Sequence, residues 1–395
     1  MISIPPAEFR QRLAAIQERL AAENLDGLLV YGDEYRKENL RYVSNYWPIF
    51  ERGACFVPRQ GEPILAGAPE GEKYAREMSV WSDVRNVKEF ACVTVPEEID
   101  YPLADFSSLR DILAQTVGGG RRLGLTGWGD LPHPLYQRIS EAIPGLEIVP
   151  ADRILLDLRL VKTPAEIACL REAGRQAGEG YRALLAAAVP GHTETFAAGA
   201  AEGAARQAGA EAIIFSIIGS GPRAETIIGR ATEKVIQPGE MVTAALAVQY
   251  QGYVATAQFP FVAGRATAAQ QRFLGVLLEA ANVQREYLHD GAIAGDMVRA
   301  VQAVFRAHQM EAYDVYPPMH GAGLAEAESP YPDEAATYPL RTGMCVNSDI
   351  SLWGHPDGSN RIEEGFAVGA AGPESLTPYI RELCERGVVS TDELA

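Results

Sequence analysis

Short apolar runs alternate with amphipathic stretches over the first third of the chain. LDGLLVYG (25–32), ACFVP (54–58), PILAGAP (63–69), RRLGLTGW (121–128) and LEIVPA (146–151) read as strands, and helical spacing appears near 70–78, 106–116 and 134–143. This alternation predicts a compact α/β unit around a largely internal sheet. The opening MISIPPAEFRQRLAAIQERL mixes acids and arginines among its apolar positions, which makes it an amphipathic helix rather than a signal peptide. Gly118, Gly119 and Gly120 read as a turn, because no apolar-periodic helix follows them.

The pattern changes at KTPAEIACLREAGRQAGEGYRALLAAAVPG. Thr163 as N-cap, Pro164 at the first helical position and Glu166 two further on make a capping box, with the proline where its missing N–H costs nothing. Ile167, Leu170, Gly174, Ala177, Tyr181 and Leu184 then recur at helical spacing until Pro190-Gly191 ends the run. A domain boundary is expected near 155–162, giving an α/β unit over 1–157 and a second unit over 158–395. In the second unit a helix over 193–208, strands at 212–218, 226–229 and 242–261, helices at 267–289 and 294–309, and a strand-rich end from 320 to 370 predict an α+β domain. Its helices are expected outside a curved antiparallel sheet.

Charge sharpens this picture. The 395 residues carry 52 Asp and Glu against 35 Lys and Arg, a formal net charge of -17, with no basic run to neutralise phosphates. A nucleic-acid partner is therefore not expected. No uncharged apolar segment is long enough to span a bilayer. The five cysteines, Cys55, Cys92, Cys169, Cys345 and Cys384, are odd in number and far apart, which favours reduced core thiols and a cytoplasmic setting over disulfides. Against this acidity VTAALAVQYQGYVATAQFPF (242–261) has no charge at all.

Six histidines are present, and His133, His192, His289 and His308 sit in loop or helix-end contexts. His320 differs, since PPMHGAGLAEAESPYPDE places glycines directly after it, where other backbone or a substrate can approach the imidazole closely. GMCVNSDISLWG sets Asp349 in an otherwise apolar strand, and SNRIEEGFAVGA puts Arg361, Glu363 and Glu364 at the head of another. A carboxylate buried in a strand must be paired, protonated or functional. Arg361 is thus expected to pair with Asp349 or Glu364, and His, Asp and Glu from three separate segments suggest one convergent site.

Taken in order, LRLVKTPAEIACLREAG, QPGEMV, the hairpin around YQGY, HGAGL, GMCVNSD and NRIEEGFAV resemble the creatinase, prolidase and aminopeptidase P family over nearly the whole chain. The resemblance implies a pita-bread catalytic domain preceded by a creatinase-type α/β domain. The family's metallopeptidases hold two metal ions through two aspartates, one histidine and two glutamates. Matched position by position, the aspartates fall on Ala245 and Thr256, the histidine on His320, and the glutamates on Asp349 and Glu363. A second family histidine falls on Ala327, with Glu328 beside it. The resemblance thus implies no dinuclear centre and no metal or other cofactor, although one zinc on His320, Asp349 and Glu363 is a conceivable remnant.

Creatinase, the family's metal-free member, uses a histidine base whose position matches roughly Ile228. Its amino-terminal arginine has a counterpart in Arg52 of NYWPIFERGAC, which would bind a substrate carboxylate at the site of the other subunit of a homodimer. The expected function is metal-independent hydrolysis of a C–N bond in a small amidine, amide or amino-acid-like substrate. His320, Asp349 and Glu363 are the catalytic candidates, and Arg52, Tyr250, Tyr253, Glu328 and Arg361 the substrate-binding ones. Whether Glu326 joins Glu328 depends on how the chain turns after Leu324. The alternatives are a non-catalytic binding protein and an atypical Xaa-Pro metallopeptidase. GSGPRAETIIG is not expected to bind a nucleotide, since a strand-like segment rather than a helix follows its glycines.

Overall fold

The computed structural model describes residues 2–91 and 105–393. Residues 4–159 form one compact unit and the chain from Leu160 onward the other. Cys55, Cys169, Cys345 and Cys384 are buried free thiols, and Cys92 lies outside the described residues. Among the described residues no helix is long and apolar enough to cross a membrane.

The first unit runs α1 (Pro6–Ala22), β1 (Gly27–Asp33), α2 (Glu38–Ser44), β2 (Arg52–Pro58), β3 (Ile64–Gly67), α3 (Glu72–Met78), β4 (Val84–Asn86), α4 (Leu109–Val117), β5 (Arg122–Thr126), α5 (His133–Ala142), β6 (Glu147–Pro150) and α6 (Asp152–Arg159). Its six strands are ordered β4-β3-β2-β1-β5-β6. The apolar run of β1 is buried on both faces, as a central strand flanked by a parallel neighbour requires. Gly118 ends α4 in the left-handed region (φ 55°), so the glycine triplet is a helix C-cap.

The second unit continues with α7 (Pro164–Ala187), α8 (Glu194–Gln207), β7 (Ala212–Ser220), β8 (Met241–Tyr250), β9 (Tyr253–Gln258), β10 (Phe261–Val262), α9 (Ala268–Glu286), α10 (Ala294–Ala307), β11 (Met319–Gly321), β12 (Cys345–His355), β13 (Gly358–Ala367), β14 (Glu374–Ser375) and α11 (Pro378–Arg386). The capping box of α7 forms: Glu166 N donates to Thr163 Oγ1 at 3.2 Å, and Thr163 N donates to Glu166 Oε2 at 2.8 Å. Every strand pairing in this unit's eight-stranded sheet is antiparallel.

Strand alternation decides which side chains meet the helices. Ala244, Leu246 and Val248 of β8, Ala257 of β9, Ile350 and Leu352 of β12, and Ile362 of β13 enter one core with Tyr181 and Leu184 of α7 and Leu274 and Leu277 of α9. The neighbouring positions therefore face the other way. Cross-strand register sets Asp349 opposite Glu363, Glu363 opposite Gln258, Gln258 opposite Ala245 and Ala245 opposite Ile217, one row across five strands. The hydroxyl of buried Tyr181 donates to Phe259 O at 2.6 Å and accepts from Phe259 N at 2.9 Å, satisfying the backbone where the sheet edge jogs from β9 to β10.

One expected strand is missing. Residues 226–229 are not extended: a 3₁₀ turn spans Gly221–Thr226 and irregular chain follows. Thr226, Ile227 and Ile228 have strand propensity, but Ile227 takes φ 55°, ψ -61°, a conformation no strand accommodates.

Candidate active site

A cavity of about 690 Å³ opens in the second unit, and His320, Glu326, Asp349, Arg361 and Glu363 line it. His320 reaches it from β11, paired opposite Asn347 of β12. The glycine after it is required by contact: a Cβ on Gly321 would lie 2.1 Å from Ser329 O. The returning chain lies that close because Glu328 N donates to Gly321 O and Gly321 N to Pro330 O. The imidazole Nδ1 is 2.9 Å from Gly321 O. A carbonyl only accepts, so Nδ1 carries a proton, and in the neutral ring Nε2 is the nitrogen whose lone pair is left for the cavity. Nε2 lies 3.8 Å from Glu326 Oε1, and Thr256 Oγ1 donates to that oxygen at 2.9 Å.

Asp349 and Glu363 enter from adjacent strands, with Arg361 two residues before Glu363 on the same face of β13. Arg361 Nη1 donates to Glu363 Oε1 at 2.7 Å, and Asn347 Nδ2 donates to the other oxygen at 3.3 Å. Arg361 Nε lies 2.9 Å from Asp349 Oδ1 but off the hydrogen-bonding angle, so this is a charge contact in which both atoms lack a hydrogen bond. The guanidinium also lies over the rings of Tyr316 and Trp353, at 5.1 and 5.5 Å.

Burial pushes the Asp349 carboxyl up to about 7; Glu363 adds to the shift, and Arg361 and His320 oppose it. Glu326 is raised too, first by burial and then by Glu363. Burial alone would lower the Arg361 pKa, but Glu363 and Asp349 outweigh it and hold the guanidinium firmly charged. The arrangement holds a proton donor, Asp349, and a proton acceptor, His320 Nε2, around one space beside a fixed positive charge.

Three expected binding residues are engaged elsewhere in the second unit. Glu328 is buried beside Lys162, whose Nζ donates to it at 2.7 Å, so it serves an internal ion pair. Glu326 turns to the cavity instead, because the loop after Leu324 folds back on Gly321 and successive acids point apart. Tyr253 OH donates to Glu166 Oε1 at 2.8 Å and ties the hairpin to the α7 capping box. Tyr250, at the last position of β8, donates to Ile2 O at 3.0 Å. Arg52 starts β2 of the first unit, opposite Asp33 and beside the Tyr31 hydroxyl. Arg361 pairs with Asp349 and Glu363 rather than Glu364, which points through the sheet to Arg381 Nη1 at 3.2 Å. Glu326, Tyr316 and the isoleucines of β7 are among the further lining residues; of these Glu326 alone had a signal in the sequence, its place after the histidine-glycine turn.

Comparison with known proteins decides the family. The profile of metallopeptidase family M24 matches residues 168–370, just over half the chain, and that of the creatinase/prolidase N-terminal domain matches residues 12–161. The chain belongs to metallopeptidase family M24. This M24 chain is 25% identical over 376 residues to an Xaa-Pro dipeptidase of Pyrococcus horikoshii, covering 95% of the chain and 99% of that protein. It is 26% identical over 279 residues to the uncharacterized peptidase YqhT of Bacillus subtilis, covering 70% of the chain and 79% of that protein. The crystal structure of the prolidase from Pyrococcus horikoshii OT3 superposes with a TM-score of 0.80 at 22% identity, covering 93% of this chain and 98% of that one. Dipeptidase PepE from Mycobacterium ulcerans superposes at 0.77 with 24% identity, covering 95% and 96%. The shared architecture is an N-terminal creatinase-type domain followed by the pita-bread domain, and the family is one of hydrolases.

The family name implies a metal, and the cavity's donors fit one poorly. A hard divalent ion needs several oxygens free to turn toward it. Here Glu363 is engaged by Arg361 and Asn347, and Asp349 faces the same guanidinium. In the hairpin the row beside Glu363 holds the neutral amide of Gln258 and then Ala245, and the Thr256 hydroxyl is turned to Glu326. Among the described residues no three His, Cys, Asp or Glu side chains are placed to hold a metal ion.

Proposed function

We propose that this chain is a metal-independent hydrolase of a C–N bond in a small amide, amidine or amino-acid-like substrate. The observation that carries the reading is the Arg361 guanidinium at 2.9 Å from Asp349 and 2.7 Å from Glu363, a fixed cation among the oxygens that a metal would need. His320 Nε2 takes a proton from water as the water oxygen bonds to the substrate's trigonal carbon. Asp349, pushed up to about 7 and therefore partly protonated near neutrality, donates its proton to the departing nitrogen as the C–N bond breaks. The proton on His320 then returns to Asp349 through solvent, and the site is restored. Glu363 and Asn347 hold Arg361 and Asp349 in register.

The peptidase names of the relatives favour a second reading, an Xaa-Pro peptidase acting with a metal. One assay separates the two. Creatine, ectoine, simple amidines and Xaa-Pro dipeptides are offered to protein dialysed against a chelator, with its metal content measured in parallel. Turnover undiminished by chelator is expected; turnover that disappears with chelator and returns with added metal would sink the proposal.

A further inference from the structure

The cavity has two unlike ends. The row across the sheet sets Asp349 and Glu363 at one end and Ile217 at the other, with Gln258 and Ala245 between them. Ile213, Ile214 and Phe215 of the same strand as Ile217 also line the cavity, as does Ile228 of the segment after it, while Pro317 and Met319 line it from the chain that carries His320. Two further charged residues border the cavity: Glu202, which accepts from the Ser216 hydroxyl, and exposed Arg230.

Ile228 is the unusual member of this group. It lines the cavity while 76% exposed, where an isoleucine gains little from folding. The backbone before it is strained: Ile228 N donates to Thr226 O across Ile227 at φ 55°, ψ -61°, a positive-φ γ-turn centred on a β-branched residue. Such a turn persists only where the surroundings over-determine it. Glu194 provides that restraint. Fully buried at the start of α8, its carboxylate accepts from Ser220 N and Oγ at one end of the segment and from Thr232 N and Oγ1 at the other, with Arg223 Nε at 3.1 Å between them. Burial alone would raise its pKa, but the bonds from Thr232 and Ser220 hold it below the usual carboxylate range.

We propose that this apolar end is a specificity subsite for an aliphatic or aromatic substituent of the substrate, with Ile228 as its contact residue and Glu194 as the positioning residue. The inference rests on the hydrolytic site proposed above. It narrows the substrate to one whose C–N group carries an apolar substituent rather than a second charged group.

The test is calorimetric binding of matched probes to the full chain: acetamidine against benzamidine, acetamide against benzamide, and benzamidine against 4-carboxybenzamidine. The benzene ring should tighten binding about tenfold or more in the first two comparisons, and the added carboxylate should cancel the gain. Ile228→Glu should abolish the preference and Ile228→Ala reduce it several-fold. Both changes are at an exposed side chain and leave folding intact. Glu194→Gln should weaken benzamidine while leaving acetamidine unchanged, with its melting temperature showing that the fold is kept. Equal affinity for short and aromatic members, a preference that survives Ile228→Glu, or no binding by any probe overturns the inference. Each titration is repeated with chelator and with added zinc. An aromatic preference that exists only with metal would sink the metal-independent reading and leave the subsite standing.

Discussion

At the scale of the residue, Arg361 determines what the other groups can do. It is nearly buried, it faces two carboxylates, and neither of them has another cation at comparable distance among the described residues. Arg361→Gln should therefore cost about 3–5 kcal/mol in urea unfolding, the usual cost of leaving buried charges uncompensated, and should abolish turnover. Arg361→Lys keeps the charge but reaches only one carboxylate well, so an intermediate loss is expected in both measurements. The convergence of His320, Asp349, Arg361 and Glu363 was legible because each stands out in an apolar or glycine-rich segment. The partner of Arg361 was half legible: strand alternation excludes Glu364, the very next residue to Glu363, from the face that Arg361 and Glu363 share. The choice between Glu326 and Glu328 was not legible, because it depends on a loop that folds back on Gly321 and sends one acid to Lys162.

Among the elements, the β8–β9 hairpin and the segment 221–232 carry the site's distinctive features. Helices α7, α8 and α9 carry threonine N-caps and α10 only an amphipathic spacing, and such signals are local. The segment 221–232 could not be read locally, because its shape is imposed by Glu194, remote in sequence, against the strand propensity of its own residues. Glu194→Ala should accordingly destabilise the chain by about 3 kcal/mol, as it strips a buried carboxylate from five donors and leaves Arg223 without it. Limited proteolysis should then cut within 221–232 first. The hairpin can be tested by placing acids on it. Ala245→Asp with Thr256→Asp places two carboxylates on the face that bears Asp349 and Glu363. After dialysis against zinc or manganese, elemental analysis should find bound metal in the double variant and none in the parent; equal metal in the two would show that acids at these two positions do not decide metal binding.

For the molecule as a whole, the balance of acids sets how stability follows pH. Burial raises Asp349, Glu364 and Glu51 to about 7 and Asp314 to about 6; Glu51 belongs to the first unit and the others to the second. In the unfolded chain these groups titrate near 4. Between roughly pH 4.5 and 7 the folded form therefore binds more protons than the unfolded form, and stability falls as pH rises through that window. A formal net charge of -17 works in the same direction, because self-repulsion eases as acids protonate. The carboxylates whose pKa values are lowered, Glu194, Glu72, Glu172 and Glu374, act with the opposite sign: their contribution is complete above the ordinary carboxylate pKa and is lost only as pH drops below it. Scanning calorimetry should accordingly place the highest melting temperature near pH 5, with a decline of roughly a few degrees toward pH 8 and a steeper loss below pH 4. Since each unit carries at least one raised acid, separate transitions would shift together. The variant Asp349→Asn with Glu364→Gln should flatten the decline in the second unit, because neither side chain then titrates. A melting temperature that climbs from pH 5 to 8 in the parent would show that these four carboxylates are ionised in the folded chain, and with them would go the protonated Asp349 that the proposed reaction requires.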